Sequence, residues 1–388
     1  MLSLVNRRIV PYGLAAAVPL TCLLLAQNMT FDGRPALVLR NDKIELTLLP
    51  LGATLANLTL LDDIEKLSPF WNADRAQKLP APARPSGALG HFLCLDGFGA
   101  PSDEEKSAGW PFHGEASKQQ FEVIQDPAKN GTPTLKTTLK LTARLPLAQE
   151  AVTRTVTLLD GESIVYVNTE VESLLAIDRP ISWAEHATVG PPFLLPGQTI
   201  IDISATNCRV RAQKAGSTGK LAYDKDFVWP LAPLTKGGTV DLTAVPANEA
   251  TQELASCQID PARTNGYITA LRPDKHLIFG YVFRRAEYPW VMSWMNYTGN
   301  MRAARGFEFS TQPFDVSHRD TVDAHQMFGT PTYKWLPAKG KLRSSFLFFY
   351  ARTPDGFSNV ADVKLEDGRL QIQDRSGRTV TLNARKPL

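Results

Sequence analysis

Short runs of alternating apolar and polar residues, separated by turn-forming residues, recur along this chain of 388 residues. Alternation with a period of two is typical of a strand with one buried and one solvated face. Segment 39–48 shows this pattern, and Asp160-Gly161 between two β-prone runs predicts a hairpin. No stretch indicates an amphipathic helix longer than about three turns. Turn signals at spacings of about 8–12 residues therefore predict an all-β fold, a large antiparallel β-sandwich.

The composition is that of an ordinary globular protein, with 43% apolar and 21% charged residues. Residues 28–388 contain no repeat, low-complexity segment or linker that would divide them, so we expect a single domain there. The net charge of +3 is small for this length. It argues against nucleic acid as a partner, because nucleic-acid binding requires basic residues gathered on one face.

The N-terminus has the pattern of an export signal. Arg7-Arg8 is followed by an apolar run from Ile9 to Ala26, which predicts a secretory signal peptide over residues 1–27. The alternative is an uncleaved anchor, since the run approaches the ~18 residues that a membrane span requires. The membrane would then be contacted through this segment only. In both cases we expect an exported protein, periplasmic or extracellular.

The cysteine spacing and the search for cofactor motifs give little evidence of a disulfide framework, a metal site or a cofactor site. Cys94, Cys208 and Cys257 remain after the N-terminal segment, and three cysteines at irregular spacing form neither a disulfide framework nor a zinc motif. At most one pair could bridge, and buried free thiols are the expectation. Phosphate loops, dinucleotide fingerprints and nucleophile elbows are absent from the sequence, so we expect no metal and no organic cofactor.

A late strand provides the first candidate for chemistry. In segment 305–314, aromatic and polar residues alternate, and Glu308 stands between Phe307 and Phe309. A carboxylate held beside apolar surface has a raised pKa and can act as a base near neutral pH. The alternative is a solvated glutamate on the wet face of the strand.

Two histidines have contexts suited to a site. His113 follows Pro111-Phe112 and precedes a glycine, and His186 ends a strand just before Gly190-Pro191-Pro192. Each could instead be a structural histidine that bonds nearby backbone. Together with Glu308, they would supply an acid and a base for a sugar hemiacetal. The base removes the anomeric hydroxyl proton while the acid protonates the ring oxygen, so that the ring opens and recloses on the other face.

Further residues are candidates for holding a carbohydrate, because polar groups bond hydroxyls and tryptophan faces stack on sugar C–H groups. These substrate-binding candidates are His91, Asp96, Trp110, Glu185, Asp226, Trp290 and Trp294. The remaining histidines, which lie near charged or loop residues, are expected at the surface: His276, His318 and His325.

Most of residues 37–388 resembles the galactose mutarotase-like (aldose 1-epimerase-like) superfamily. Phe112-His113-Gly114 resembles the family's His-Gly motif, and Glu185-His186 resembles the region that supplies its acid histidine. Segment 306–313 resembles the strand that carries its catalytic glutamate. The resemblance implies a β-supersandwich with a sugar site on a concave face. Ser310 stands where the family has that glutamate, and Glu308 lies two residues earlier, which keeps it on the same face.

Three functions remain open. The first is an exported aldose 1-epimerase-like enzyme with Glu308 as base, His186 as acid and His113 positioning the sugar. The second is a non-catalytic carbohydrate-binding protein on the same scaffold, which Ser310 favours. The third is an accessory domain of a glycan lyase or hydrolase, and the lack of a recognisable second domain counts against it.

Overall fold

The computed structural model of the chain describes residues 29–76, 89–125, 137–213, 219–246, 251–297 and 303–388. The segment predicted as a signal peptide or anchor, residues 1–27, lies outside these ranges. Within them, none of the helices is long and apolar enough to cross a membrane.

Strands make up nearly all of the regular structure. In the first half of the chain they are β1 Thr30–Phe31, β2 Arg34–Pro35, β3 Leu37–Arg40, β4 Ile44–Leu49, β5 Thr54–Leu60, β6 His91–Leu95, β7 Glu122–Gln125, β8 Thr138–Leu145, β9 Glu150–Leu158, β10 Ile164–Ser173, β11 Arg179–Ile181, β12 Trp183–Val189, β13 Ile200–Ile203, β14 Ala205–Val210 and β15 Asp226–Val228. In the second half they are β16 Leu231–Pro233, β17 Thr239–Asp241, β18 Gln252–Ile259, β19 Asn265–Arg272, β20 Leu277–Arg284, β21 Trp290–Asn296, β22 Ala304–Gly306, β23 Glu308–Ser310, β24 Gln326–Met327, β25 Thr330–Pro331, β26 Lys334–Leu336, β27 Lys341–Arg352, β28 Val360–Glu366, β29 Arg369–Asp374 and β30 Thr379–Asn383.

The helices are short. They are α1 Ala73–Ala76, α2 Asp103–Ser107 and α3 His318–Ala324, with 3₁₀ turns at Ala116–Lys118 and Pro273–Lys275. This agrees with the lack of any long amphipathic pattern in the sequence.

Two large antiparallel sheets form the body of the molecule. The eight-stranded sheet has the order β13-β19-β20-β27-β10-β9-β8-β7. The eleven-stranded sheet has the order β15-β14-β18-β21-β22-β12-β6-β5-β4-β3, with β23 pairing β12 and β21 beside β22. The inner faces of the two sheets enclose one apolar core. The expected all-β antiparallel sandwich is confirmed.

A small third sheet, β28-β29-β30, covers the outer face of the eight-stranded sheet. Leu370 and Ile372 are fully buried there, in a second apolar cluster with Tyr166 and Ile278. The outer face of the eleven-stranded sheet is therefore the large sheet surface left for a binding cleft.

The hairpin expected at Asp160-Gly161 is confirmed, since it joins β9 to β10 in one continuous antiparallel ladder. The expectation of free thiols is wrong for two cysteines. Cys208 on β14 and Cys257 on β18 are directly opposed in register and form a disulfide. Only the pairing of these distant strands brings the two thiols together. Cys94 is buried and unbridged.

Candidate active site

A row of side chains crosses the outer face of the eleven-stranded sheet. Register pairs Phe92 with His186, and Met292 with Glu308. The antiparallel register of β12 with β22 and β23 also sets His186 opposite Glu308. Because neighbouring residues across a sheet share a face, Phe92, His186, Glu308 and Met292 stand side by side on four strands.

His186 and Glu308 face each other within this row. Nε2 of His186 lies 3.4 Å from Oε1 of Glu308. Both side chains are buried, and neither carboxyl oxygen has a hydrogen-bond partner among the described residues. Gly306 leaves the space for this carboxyl, because a Cβ at that position would lie only 2.5 Å from Oε1. The glutamate is therefore held in a confined place with its hydrogen-bonding capacity unused by the protein.

The imidazole of His186 is oriented by its neighbours. Its ring stacks on Phe92 with centroids 4.3 Å apart, and Nδ1 lies 3.3 Å from the hydroxyl of Thr188. These contacts aim Nε2 at Glu308 and at the cleft.

His113 reaches the same place from a loop. Its Nδ1 accepts a hydrogen bond from the backbone N–H of Gly99 at 3.1 Å, which leaves the proton of the neutral ring on Nε2. Its ring meets that of His186 edge to face at 4.7 Å. Gly114 makes this turn possible: it has a φ of +72°, and a Cβ there would lie 2.0 Å from the carbonyl oxygen of Leu95.

Burial controls the protonation of the three groups. Burial, with a smaller effect from Asp315, raises the pKa of Glu308 well above its ordinary value. Burial also lowers the pKa of His186 to about 3. The pKa of His113 falls well below its usual value because of burial and the proximity of His186 and Lys118. In the free cleft the proton of the His186–Glu308 pair therefore resides on the carboxyl, the reverse of the acid and base roles expected from the sequence.

The three residues lie in one cleft of about 390 Å³, within the range of small-molecule sites. Aromatic side chains form much of its wall, including Trp71 and Trp294, which meet edge to face at 5.5 Å. The full lining is Thr54, Trp71, Phe92, Phe112, His113, Ser117, Lys118, His186, Arg211, Gln252, Leu254, Met292, Trp294, Glu308 and Asp315.

Of the residues predicted from the sequence, His113, His186, Glu308 and Trp294 come together in this cleft. No grouping of His, Cys, Asp and Glu within the described ranges is suited to hold a metal ion.

His91 and Glu185 do not reach the cleft. Both project from the opposite face of the sheet into the core, because each precedes a cleft-facing residue in its strand by one position. His91 Nε2 lies 2.7 Å from a Glu185 oxygen, and both Glu185 oxygens also accept bonds from Arg154, at 3.1 and 3.0 Å. Burial opposes ionisation of Glu185, but Arg154 and His91 outweigh it and lower its pKa to about 2.

The other four predicted binding residues also lie elsewhere. Asp96 and Trp110 border a separate cavity of about 140 Å³ with Arg179. Asp226 is exposed on the edge strand β15, paired with Arg209. Trp290 is fully buried and its indole N–H donates to the carbonyl of Pro331 at 2.9 Å. Neither burial nor strand position could be read for these residues from sequence alone.

Several cleft residues were missed: Trp71, Phe92, Lys118, Arg211, Gln252 and Asp315. Asp315 directly follows the segment that carries Glu308, which is a usable signal. Phe92 shares the face of His186, but only the register of β6 against β12 reveals this. Lys118, Arg211 and Gln252 lie in no recognisable motif and meet the cleft only through folding.

Comparison with known proteins supports the fold. No protein-family model matches the sequence, and no curated protein matches it significantly. Solved structures do match. A galactose mutarotase related enzyme from Lactobacillus acidophilus aligns with a TM-score of 0.55 and 13% identity, over 82% of this chain and 98% of its own.

Two further structures agree. A galactose mutarotase-like protein from Clostridium acetobutylicum aligns with a TM-score of 0.57 and 14% identity, over 84% of this chain and 97% of its own. A candidate aldose 1-epimerase from Klebsiella pneumoniae subsp. pneumoniae aligns with a TM-score of 0.58 and 11% identity, over 84% of this chain and 82% of its own. The chain has the galactose mutarotase-like fold.

Proposed function

We propose that the protein is an exported aldose 1-epimerase-like enzyme that interconverts sugar anomers by acid–base ring opening and closure. One observation carries the proposal: Nε2 of His186 lies 3.4 Å from Oε1 of Glu308 in a cleft of about 390 Å³. An imidazole and a carboxyl at this separation can act on two oxygens attached to the same anomeric carbon.

The protonation state of the pair suits this chemistry. Ring opening needs one group to donate a proton to the ring oxygen and one to accept the proton of the anomeric hydroxyl. The protonated carboxyl of Glu308 can donate a proton, and the neutral imidazole of His186 can accept one. Transfer of one proton between them gives the carboxylate and the imidazolium, which is the assignment expected from the sequence. The two forms differ only in which residue holds the shared proton, so the pair can catalyse ring opening and ring closure alike.

His113 and the aromatic walls would orient the sugar. With Nδ1 engaged by Gly99, Nε2–H of His113 remains to donate a hydrogen bond to the ring oxygen or to a hydroxyl. The indoles of Trp71 and Trp294 offer apolar faces and edges to sugar C–H groups. The name of the Lactobacillus acidophilus relative, a galactose mutarotase related enzyme, agrees with an aldose as substrate.

Export belongs to the same proposal. The charged and apolar pattern of residues 1–27 supports it. The disulfide between Cys208 and Cys257 adds support, because such bonds persist in oxidising compartments.

Polarimetry of freshly dissolved aldoses tests the catalytic proposal. We expect Glu308→Gln and His186→Asn each to lower kcat/KM about 10²- to 10⁴-fold. His325→Asn is the matched control, because His325 is exposed at the end of α3 and does not line the cleft. A wild-type protein that accelerates the mutarotation of no aldose would refute the proposal.

A second candidate is a non-catalytic carbohydrate-binding protein. Ser310, at the position where the resembled family carries its glutamate, favours it, and the Ser310 hydroxyl donates to the carbonyl of Gln312 inside the protein. Thermal stabilisation by aldoses without any change in their mutarotation rate would select this candidate.

A further inference from the structure

The charges that line the cleft do not balance. Arg211 donates two hydrogen bonds to the carboxylate of Asp315, at 2.7 and 2.9 Å, so these two charges compensate each other. The raised pKa of Glu308 and the lowered pKa of His186 favour their neutral forms. The positive charge of Lys118 is the one left uncompensated in the cleft lining, since within the described residues no carboxylate pairs with it.

Lys118 is held at a defined place on the rim. It ends the 3₁₀ turn Ala116–Lys118, and its backbone N–H donates to the carbonyl of Glu115 at 3.0 Å. The next residue, Gln119, accepts a bond from the N–H of Gly52 at 2.8 Å, which ties the turn to the sheet. The side chain is exposed to solvent at the cleft wall.

Lys118 lines the same cleft as His113, His186 and Glu308. Its charge contributes to lowering the pKa of both His113 and His186, so the field of Lys118 reaches the two imidazoles. A negative group on a bound sugar would therefore meet Lys118 close to the histidines.

We propose that the cleft selects sugars that carry a carboxylate, the uronic acids, and that Lys118 is the residue that binds this carboxylate. The inference rests on the proposed function, which places the anomeric carbon at His186 and Glu308. In a hexuronic acid the carboxylate is attached to the ring carbon that is itself bonded to the ring oxygen. A sugar whose ring oxygen faces the histidines therefore directs its carboxylate to their immediate surroundings, where Lys118 stands.

A carboxylate fits better than a phosphate. One uncompensated ammonium matches a single negative charge, whereas a phosphate ester carries nearly two at neutral pH. The guanidinium of Arg211 is already engaged by Asp315 through both carboxylate oxygens, so binding a phosphate would require that pair to break.

Matched sugars test the proposal. Mutarotation and equilibrium binding are measured for galacturonate against galactose and for glucuronate against glucose, with glucose 6-phosphate as a third anion. For the wild type we expect KM and Kd for the uronates to be about 10- to 100-fold lower than for the matched hexoses, the effect of one charge-assisted hydrogen bond. Added salt should raise KM for the uronates and leave KM for the hexoses nearly constant.

Variants of Lys118 test whether this residue causes the preference for uronates. Lys118→Gln should raise KM for the uronates to about that for the matched hexoses, and Lys118→Arg should retain most of the preference. Lys236→Gln is the control, because Lys236 is exposed in the turn between β16 and β17. Equal KM values for uronate and hexose in the wild type would overturn the inference. So would tighter binding of glucose 6-phosphate than of glucuronate, or an unchanged ratio of uronate KM to hexose KM in Lys118→Gln.

The two proposals fail differently. If hexoses are turned over without a uronate preference, the proposed function stands and the role of Lys118 is refuted. If uronates bind in a Lys118-dependent manner and no sugar is accelerated, catalysis is refuted while carboxylate binding stands. If uronates neither bind nor react, the inference falls with the function on which it rests.

Discussion

His186 on β12 and Glu308 on β23 stand opposite each other on adjacent strands, with Nε2 3.4 Å from Oε1. Burial disfavours the charged form of each residue, and it therefore shifts their two pKa values in opposite directions. It raises the pKa of the carboxyl and lowers that of the imidazole. The sheet thus sets both the spacing and the protonation of the pair.

The pH profile of mutarotation should reflect this. We expect kcat/KM to stay level from pH 7 down to pH 5, because His186, with a pKa of about 3, remains neutral there. A histidine with the ordinary pKa of about 6.5 would instead lose activity over that interval. Toward alkaline pH, activity should fall as Glu308 ionises, at a pH well above the ordinary range of a glutamate. Initial rates in buffers of constant ionic strength provide the check, and a drop centred near pH 6.5 would contradict it.

Glu308→Gln should stabilise the protein increasingly as pH rises. Above the ordinary glutamate pKa of about 4.3, the unfolded chain releases the proton that the folded protein keeps on Glu308. Wild-type stability therefore falls with rising pH until the folded-state pKa is reached. The glutamine variant lacks this loss. The difference in Tm between variant and wild type, followed from pH 4 to pH 9, should grow, and a constant difference would show that the carboxyl is not held protonated.

Gly306→Ala should disturb the position of Glu308. The added Cβ would lie 2.5 Å from Oε1 of Glu308 and 2.9 Å from the backbone nitrogen of Trp294. Displacing a catalytic group by about 1 Å can cost about 10²-fold in rate, and we expect a loss of that order in kcat. In a Glu308→Gln background the same substitution should add little further loss, since the two changes act on one interaction. Additive losses would argue against this coupling.

Removing the buried charge network behind the site should cost far more stability than removing a surface pair. Glu185→Gln leaves the fully buried Arg154 without its carboxylate, for which we expect a loss of about 3–5 kcal/mol in the free energy of unfolding. Asp226→Asn removes the exposed partner of Arg209 and should cost less than about 1 kcal/mol. Urea unfolding of both variants gives the comparison, and similar losses would show that Glu185 is not in a strongly coupled buried network.

Alternation along the chain was enough to predict the sandwich, because the period of two directly reports one buried and one solvated face. The aromatic neighbours of Glu308 and the turn around His113 likewise identify both residues as candidate site residues from the sequence. These features depend only on a few consecutive residues, so the sequence is enough to predict them.

Adjacent residues in one strand can face opposite sides of the sheet, and local sequence does not predict which side faces the core. By sequence, Glu185 and His186 are equally suited to a sugar site, as is His91, yet only His186 faces the cleft. Which face of a strand is the core face depends on the sheet that packs against it. In the core, His91 contacts Tyr281 and Glu185 accepts hydrogen bonds from Arg154, and both partners lie on the other sheet. The bridge between Cys208 and Cys257 is not predictable from local sequence for a related reason, since their contact depends on the pairing of β14 with β18.

By itself, the sequence determined the class of fold and which side chains could transfer a proton, because strand alternation and side-chain chemistry are local properties. Only the tertiary structure decided that His186 meets Glu308, that Lys118 and Arg211 join them, and that the proton rests on the carboxyl. Register between distant strands and burial from water are set by the whole folded chain, and they control distance and pKa.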